Sequence, residues 1–482
     1  MLALAGRGTG TPVSSARRLV AANTAVQVAG KGVTLAIGVA SIAIVTRYLG
    51  LEDYGRYTLA LTYIQLFAVL ADVGLFTIVV REISRRPERT ERLVGNTIVL
   101  RLLLAVAAIA VAALVSLVLP YDRDTRLAIL LAGLPLLFGM LNTSFVAVLQ
   151  ARLRMERAVV GDVVGRAVAL AALGVVVALD LGFFAVMGTA AAGALATAVV
   201  TVLLTRRLVP LRPLSEPRVW RRLLVMALPL GVALAVNELY FRADTLIISL
   251  YEPYDQVGLY TLAYRIVELT LVFGTVFLTT TFPLLSQAVE DDEPRARRTI
   301  QLSTELFVAL GAPLVAGGLV LAPEIVELAA GSDFEDAATP LRILLASGAL
   351  AWVNGVFGYA LIAKDRQLSA LWLNVAALVF NVVLNLVLVP VYGIVVAAVV
   401  TVSSEVLILA GSYVLMRRYF GFFPLPRTLV PALLAAAVMG AVLWALRDAP
   451  VVLLVPFGAA LYGGLLWLTS PASRELVAGV RA

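Results

Sequence analysis

Fourteen windows of about twenty or more predominantly apolar residues constrain this chain more than any other feature, because each can cross a bilayer as a helix. They fall at 22–46, 57–80, 97–119, 127–149, 159–179, 183–204, 223–250, 258–284, 300–322, 338–362, 369–390, 393–416, 428–446 and 450–469. Inside hydrocarbon no water satisfies the backbone, so a spanning segment is an α-helix or part of a closed barrel. The windows are too long and continuous for barrel strands of about 9–11 residues. Composition agrees: of 482 residues 61% are hydrophobic and only 14% charged, against roughly 25% charged in soluble domains. The expected fold is an all-α polytopic membrane protein of about 14 transmembrane helices. The first window follows a polar tail at 1–21 and is too long for a signal-peptide core of about 7–15 residues. It therefore reads as the first span.

Two absences narrow the chemistry. The chain has neither cysteine nor histidine, which excludes disulfides, thiolate sites, imidazole metal ligands and Ser–His nucleophile pairs. No GxxxxGK[ST] phosphate loop is present, so ATP hydrolysis is not the expected drive. No cofactor is expected; coupling to H+ or Na+ remains open, and a proton would have to travel on carboxylates. The net charge of +7 reads as loop charge facing the cytoplasm and not as a nucleic-acid footprint.

Loop arginines set the expected direction. With the N-terminus inside, the outer loops carry only Arg47, Arg56, Arg123, Arg126 and Arg447. Lys31, Arg101, Arg166, Arg242, Arg265 and Arg342 lie within windows, and every other basic residue falls on the cytoplasmic side. The positive-inside rule then predicts a multi-pass protein of the cytoplasmic membrane with both termini cytoplasmic.

An internal echo supports a duplication. Gly55-Arg56-Tyr57-Thr58-Leu59-Ala60 recurs 203 residues later as Gly258-Leu259-Tyr260-Thr261-Leu262-Ala263. At the same offset Ala40 matches Ala243, Ile44 matches Ile247 and Tyr48 matches Tyr251. The copies follow spans 1 and 7. An even number of spans separates them, so the halves are parallel repeats, with a transport site expected between them. Gly182 after span 5 and Gly393 after span 11 form a second echo. The expected organisation is a tail at 1–21, an N-terminal lobe at 22–222 and a C-terminal lobe at 223–427. An additional helix pair with its tail follows at 428–482.

Arg47-Tyr48-Leu49-Gly50-Leu51-Glu52-Asp53-Tyr54-Gly55-Arg56-Tyr57 resembles the RYLGxxxYGxY signature of polysaccharide-export flippases. These form the Wzx-type branch of the multidrug/oligosaccharidyl-lipid/polysaccharide (MOP) exporter superfamily. Further stretches fit in order: Asp72-Val73-Gly74-Leu75 with Arg81-Glu82-Ile83, and Asp244-Thr245-Leu246-Ile247-Ile248 with Val257-Gly258-Leu259-Tyr260. Gly331-Ser332-Asp333-Phe334-Glu335-Asp336-Ala337 with Leu341-Arg342-Ile343-Leu344 fits too. So does the run of Asn374, Asn381 and Asn385 into Pro390-Val391-Tyr392-Gly393. The resemblance covers most of residues 15–420. It implies a flippase that carries a lipid-linked oligosaccharide or polysaccharide precursor from the inner to the outer leaflet by alternating access. Its partners would be that lipid-linked glycan, membrane lipid, and a glycan polymerase or glycosyltransferases. Alternatives within the superfamily are a drug/cation antiporter, which would favour open carboxylates, and a lipid II flippase. A membrane glycosyltransferase would need a large outer loop with catalytic acids, which this chain lacks.

Charge in the membrane core costs about 2.5–3.5 kcal/mol per residue on insertion scales, so intramembrane charges are the site candidates. Lys31 in span 1 and Asp72 in span 2 sit at similar depth and are expected to pair or to hold a phosphate. Arg166 follows Asp162 by four residues on span 5. Span 7 carries Asn237, Glu238, Arg242 and Asp244, and Glu238 and Arg242 share a face. Span 8 carries Arg265 and Glu268, again on one face. Arg242 and Arg265 are candidates to grip pyrophosphate, because the planar guanidinium matches phosphate oxygens bidentately. Thus Lys31, Asp72, Arg166, Arg242 and Arg265 are the substrate-binding candidates. Glu405, alone in its helix, is the leading ion-coupling candidate, with Glu238 and Glu268. Arg101 and Arg342 are expected at the interface. Asn374, Asn381 and Asn385 share one face of span 11, suited to packing or to a polar lining. Glu324, Glu327, Asp333, Glu335 and Asp336 read as a solvated loop.

Overall fold

The structure is a computed structural model that describes residues 13–208 and 212–470. Its helices are α1 Val13–Asp72, α2 Leu75–Arg85, α3 Thr90–Val118, α4 Arg123–Ala151, α5 Met155–Ala178 and α6 Phe183–Thr205. They continue with α7 Pro217–Tyr251, α8 Tyr254–Asp291, α9 Glu293–Ala330, α10 Ala338–Ala363, α11 Gln367–Phe420, α12 Leu429–Ala445 and α13 Val451–Thr469. No strand occurs among the described residues. Of the tail expected at 1–21, residues 1–12 lie outside the described residues, and α1 already begins at Val13. The expected C-terminal tail likewise lies outside them after Ser470.

Among the described residues, eleven segments are long and apolar enough to cross a membrane, and two of these are double. A straight helix the length of α1 would measure about 90 Å, far more than one bilayer. It breaks instead at Gly50, at φ 70 and ψ −176. The second limb breaks again at Val73 and Gly74, with φ of 45 and 77, before α2 completes the pass. Helix α11 breaks at Gly393, at φ 69 and ψ −156. There the chain folds back on itself. Asn385 and Thr401 lie eight residues to either side of Gly393, yet both bond the carboxylate of Asp244, at 2.8 and 2.5 Å. In an unbroken helix those residues would stand about 24 Å apart. Counting both limbs of each double helix, and the shorter apolar helix α12, gives the fourteen passes expected. Gly182 holds φ 79 and ψ −173, nearly the geometry of Gly393. The second sequence echo is therefore also a conformational one, at a backbone setting that other residues rarely adopt.

The chain divides into two compact units. One comprises the chain up to Val45 with Tyr63–Ala235, and the other Thr46–Thr62 with everything from Val236. In the first, α4 packs on α2, α3, α5 and α6, and a core forms around Leu75, Val79, Phe145, Val148 and Leu223. In the second, α10 packs on α8, α9 and α11, with Phe307, Trp352, Phe357 and Met416 at its centre. The last helices, α12 and α13, dock on α9, where the Tyr462 hydroxyl donates to the Ala309 carbonyl at 2.6 Å. The acidic run before α10 is not a bare loop: Ser332–Ala337 forms a 3-10 turn. Its Phe334 is buried edge-on to Tyr54, with ring centroids 5.4 Å apart. Glu327, Asp333, Glu335 and Asp336 are exposed, as expected of a solvated run, but Glu324 lies within α9, half-buried, with one carboxylate oxygen enclosed and without a hydrogen-bond partner.

Segment 46–62 carries the first copy of the repeat into the second unit, where it meets the second copy. The hydroxyls of Thr58 and Thr261, equivalent positions 203 residues apart, hydrogen-bond at 2.8 Å. Gly55 and Gly258, equivalent as well, let the backbones touch. A Cβ on Gly258 would stand 2.7 Å from the Leu51 carbonyl oxygen, and one on Gly55 only 1.8 Å from that of Tyr254. Small residues permit this close approach of helices where no hydrophobic drive exists. Replacing Gly258 by Val is expected to cost about 1–3 kcal/mol by overpacking, whereas Thr58→Val should cost about 0.6 kcal/mol. Thermal unfolding of the purified protein in detergent measures both; an unaltered midpoint for Gly258→Val would contradict the contact.

Candidate functional site

In the first unit the sequence pairs Asp72 with the wrong cation. Asp72 ends the second limb of α1, and its carboxylate is bound by the Arg101 guanidinium from α3. Arg101 also donates to the Thr143 hydroxyl on α4 at 2.8 Å. Its side chain is 0% exposed, so Arg101 is no interfacial residue but the most enclosed cation of this unit. Lys31, by contrast, is exposed and pairs with no carboxylate among the described residues. The spacing of two helices along the sequence sets depth but not azimuth, and a third helix brought the better partner. Arg342 is half-buried, donating to the Leu319 carbonyl at 3.1 Å. Arg166 faces Asp162 at 3.4 Å. Both line a cavity of about 320 Å³ with Asn142 of α4 and Thr197 of α6. The Asn142 side-chain oxygen is buried there without a hydrogen-bond partner.

The second unit gathers the remaining candidates. On α7, Arg242 donates to Glu238 one turn before it at 3.2 Å and to Glu268 of α8 at 2.8 Å. Arg265 donates to the other oxygen of Glu268 at 2.9 Å. The helical spacing therefore predicts both local pairs, and the shared Glu268 joins them into one chain of charges. The Arg265 side chain is 52% exposed while that of Glu268 is 22% exposed, so the open end of this chain is cationic.

Two further carboxylates in this unit have only neutral partners. Asp244 accepts from the Tyr260 hydroxyl at 2.8 Å, the Thr401 hydroxyl at 2.5 Å and the Asn385 amide at 2.8 Å. The Asn385 amide also donates to Asn381 at 3.1 Å. Asn381 and Asn385 thus line a polar site, while Asn374 takes no part in it. Glu405 accepts from the Tyr240 hydroxyl at 2.9 Å and the Asn354 amide at 2.7 Å. Both acids are buried. A void of about 20 Å³ lies against Tyr240, Tyr264, Asn381, Thr401 and Glu405, about enough for one water. Sequence reasoning missed Tyr240, Tyr260, Asn354 and Thr401, because a neutral side chain in an apolar helix carries no sign of the acid it will face.

The Asp72–Arg101 pair reads as a structural clasp. Breaking a buried pair on one side costs about 3–5 kcal/mol, whereas replacing both members by apolar residues is often nearly neutral. Asp72→Ala should accordingly lower the thermal midpoint sharply, and Asp72→Leu with Arg101→Leu should restore most of it. A double replacement no more stable than Asp72→Ala would contradict the clasp.

A family model described as polysaccharide biosynthesis protein matches residues 20–289, and one described as MatE matches residues 229–387. The Haloferax volcanii protein named "Probable low-salt glycan biosynthesis flippase Agl15" is 31% identical over 166 residues, 34% of this chain and 35% of that protein. "Probable flippase AglR" of the same organism is 25% identical over 252 residues, 49% of this chain and 52% of that protein. The matches thus span about half or less of these relatives. Among solved structures, "Lipid II flippase MurJ, inward closed conformation" superposes with a TM-score of 0.76 at 12% identity, covering 93% of this chain and 98% of that one. An inward-facing multidrug resistance MATE family transporter of the MOP superfamily superposes at 0.62 with 16% identity, covering 81% and 94%. Those two likenesses speak for the fold. The model matched at 20–289 takes in more than half of the residues, and on that ground the chain belongs to the polysaccharide biosynthesis protein family.

Proposed function

We propose that this protein is a flippase moving a lipid-linked oligosaccharide or polysaccharide precursor from the inner to the outer leaflet of the cytoplasmic membrane by alternating access. The observation that carries this reading is the disposition of intramembrane charge. Asp72, Asp244, Glu238, Glu268 and Glu405 are all engaged by donors, while Lys31 is exposed with no carboxylate partner among the described residues and Arg265, though bound to Glu268, keeps 52% of its side chain exposed. Open cations suit the phosphate of a lipid-linked sugar; a drug/cation antiporter would need open acids. Arg242, buttressed by two glutamates, orients the chain of charges that ends at Arg265. The family and its glycan-flippase relatives support the substrate class. In this reading glycosyltransferases supply the substrate and a polymerase or transferase consumes it, and the protein itself performs no covalent step.

Coupling falls to the buried acids without cationic partners. Glu405, at the small void, is the leading candidate to take up a proton or sodium ion, with Asp244 held by Thr401 of the same lining. Isolated acids inside a membrane commonly mark ion pathways. Glu238 and Glu268 serve first to neutralise Arg242 and Arg265.

A labelled lipid-linked oligosaccharide in proteoliposomes tests this. Lys31→Gln and Arg265→Gln are each expected to slow flipping by about tenfold or more, the worth of one charge-assisted hydrogen bond. Glu405→Gln should keep substrate binding and lose the response to an imposed ion gradient. Gradient-driven drug efflux without glycan flipping would assign the antiporter reading instead, and preference for lipid II would assign that substrate. The absence of cysteine makes the proposed direction testable with single replacements. An impermeant maleimide should label Glu335→Cys in intact cells and Arg86→Cys only after permeabilisation; the reverse pattern would invert the topology.

A further inference from the structure

A second basic feature lies apart from the charges already described, at the arginine-rich end of the first unit. The turn after α2, the start of α3 and the first turns of α7 enclose a pocket of about 230 Å³. Its rim carries Arg89, Arg92, Arg218 and Arg222, and its floor is apolar, with Leu93, Val219, Leu223 and Met226. One carboxylate, Glu82, lines the pocket, and Glu216 stands beside it on Arg92; both are occupied. Glu216 is bound by Arg92 and by the Asn96 amide at 3.2 Å. Glu82 lies 3.7 Å from Arg222 and 3.9 Å from Arg81. Arg89 and Arg218 have no carboxylate partner among the described residues. Two exposed guanidiniums therefore converge on one pocket with nothing to neutralise them.

The pocket is amphipathic in a particular direction. Beyond its floor, Val225 and Leu228 continue along α7 as exposed apolar side chains, 65% and 57% exposed. Such a surface belongs in hydrocarbon, so the pocket sits where headgroups meet acyl chains. Its volume falls below the roughly 300–1,000 Å³ of sites that enclose a whole small-molecule ligand. That suits one headgroup whose tails remain outside and excludes a glycan. Arginine forks match phosphate oxygens in pairs. We propose that this pocket binds the phosphate of an anionic membrane phospholipid, held by Arg89 and Arg218 with its acyl chains along the apolar flank of α7. The bound lipid ties the α2–α3 turn to the start of α7.

The test uses the full-length protein in nanodiscs of phosphatidylcholine alone or mixed with phosphatidylglycerol. Phosphatidylglycerol is expected to raise the thermal midpoint and to remain bound in native mass spectra. Each arginine near a lipid surface contributes about fivefold in affinity, so Arg89→Gln with Arg218→Gln should weaken retention by roughly twenty-five-fold or more and abolish most of the rise. The same double variant in phosphatidylcholine alone should unfold as the parent does, and Arg89→Lys with Arg218→Lys should keep much of the rise. Neutralising Arg417 and Arg418, on the other unit, should leave the rise intact. An undiminished rise in the Arg89/Arg218 variant overturns the proposal. So does an equal loss in the Arg417/Arg418 variant, which would mark diffuse surface charge. Inorganic phosphate reproducing the whole rise in phosphatidylcholine discs would also overturn it, in favour of a soluble anion.

Discussion

The bilayer interior offers no water, and that single constraint organises the rest of this molecule. Backbone groups can be satisfied only within helices, so the chain is helical through its apolar length. Charged side chains can be satisfied only by one another or by neutral donors, and Asp72, Glu268, Asp244 and Glu405 are bound in these ways. Asp72 takes Arg101 and thereby joins the second limb of α1 to α3, with Thr143 bringing in α4. Glu268 takes two arginines and joins α7 to α8. Asp244 and Glu405 take hydroxyls and amides from three further passes. Polar contacts between membrane helices are individually modest, yet an unmade one leaves a group stranded in a low dielectric. These clusters thus set which helices stand side by side.

The duplication supplies the second organising element, and it is physical as well as historical. Equivalent glycines and equivalent threonines from the two repeats pack against each other. A residue that must be small in one copy must be small in the other, because each supplies the room the other needs. The contact also explains why 46–62 belongs to the second unit and not to the lobe that surrounds it in sequence. Gly182 and Gly393 repeat a backbone geometry at equivalent turns, which side-chain patterning alone would not reveal.

Cations and acids are distributed unequally in a way that bears on the proposed transport. The deep acids are consumed by internal partners, and the chain of charges on α7 and α8 ends in a half-exposed guanidinium. Lys31 adds another open positive charge. An anionic group meets each of these cations favourably, whereas an organic cation would find its counter-charges already taken. The two acids with neutral partners are a different class: no fixed positive charge opposes uptake of a small cation there.

Much of this was legible in the residues themselves. Window length and continuity dictate fourteen helical passes, because hydrocarbon thickness and helical rise are constants of the problem. The pairs Glu238–Arg242, Arg265–Glu268 and Asp162–Arg166 follow from helical periodicity, since residues three or four apart share a face. The repeat and its glycines were visible as an offset. What only the tertiary structure decided was every partnership between different helices. The depth of Asp72 is written in the sequence, but rotation about each helix axis chose Arg101 over Lys31. The same rotation buried Arg101, brought Asn385 and Thr401 to one carboxylate across the fold at Gly393, and set Tyr240 and Asn354 on Glu405. Periodicity is local and reads along one helix. Azimuth depends on how all the neighbouring helices pack at once, and no short stretch of sequence contains it.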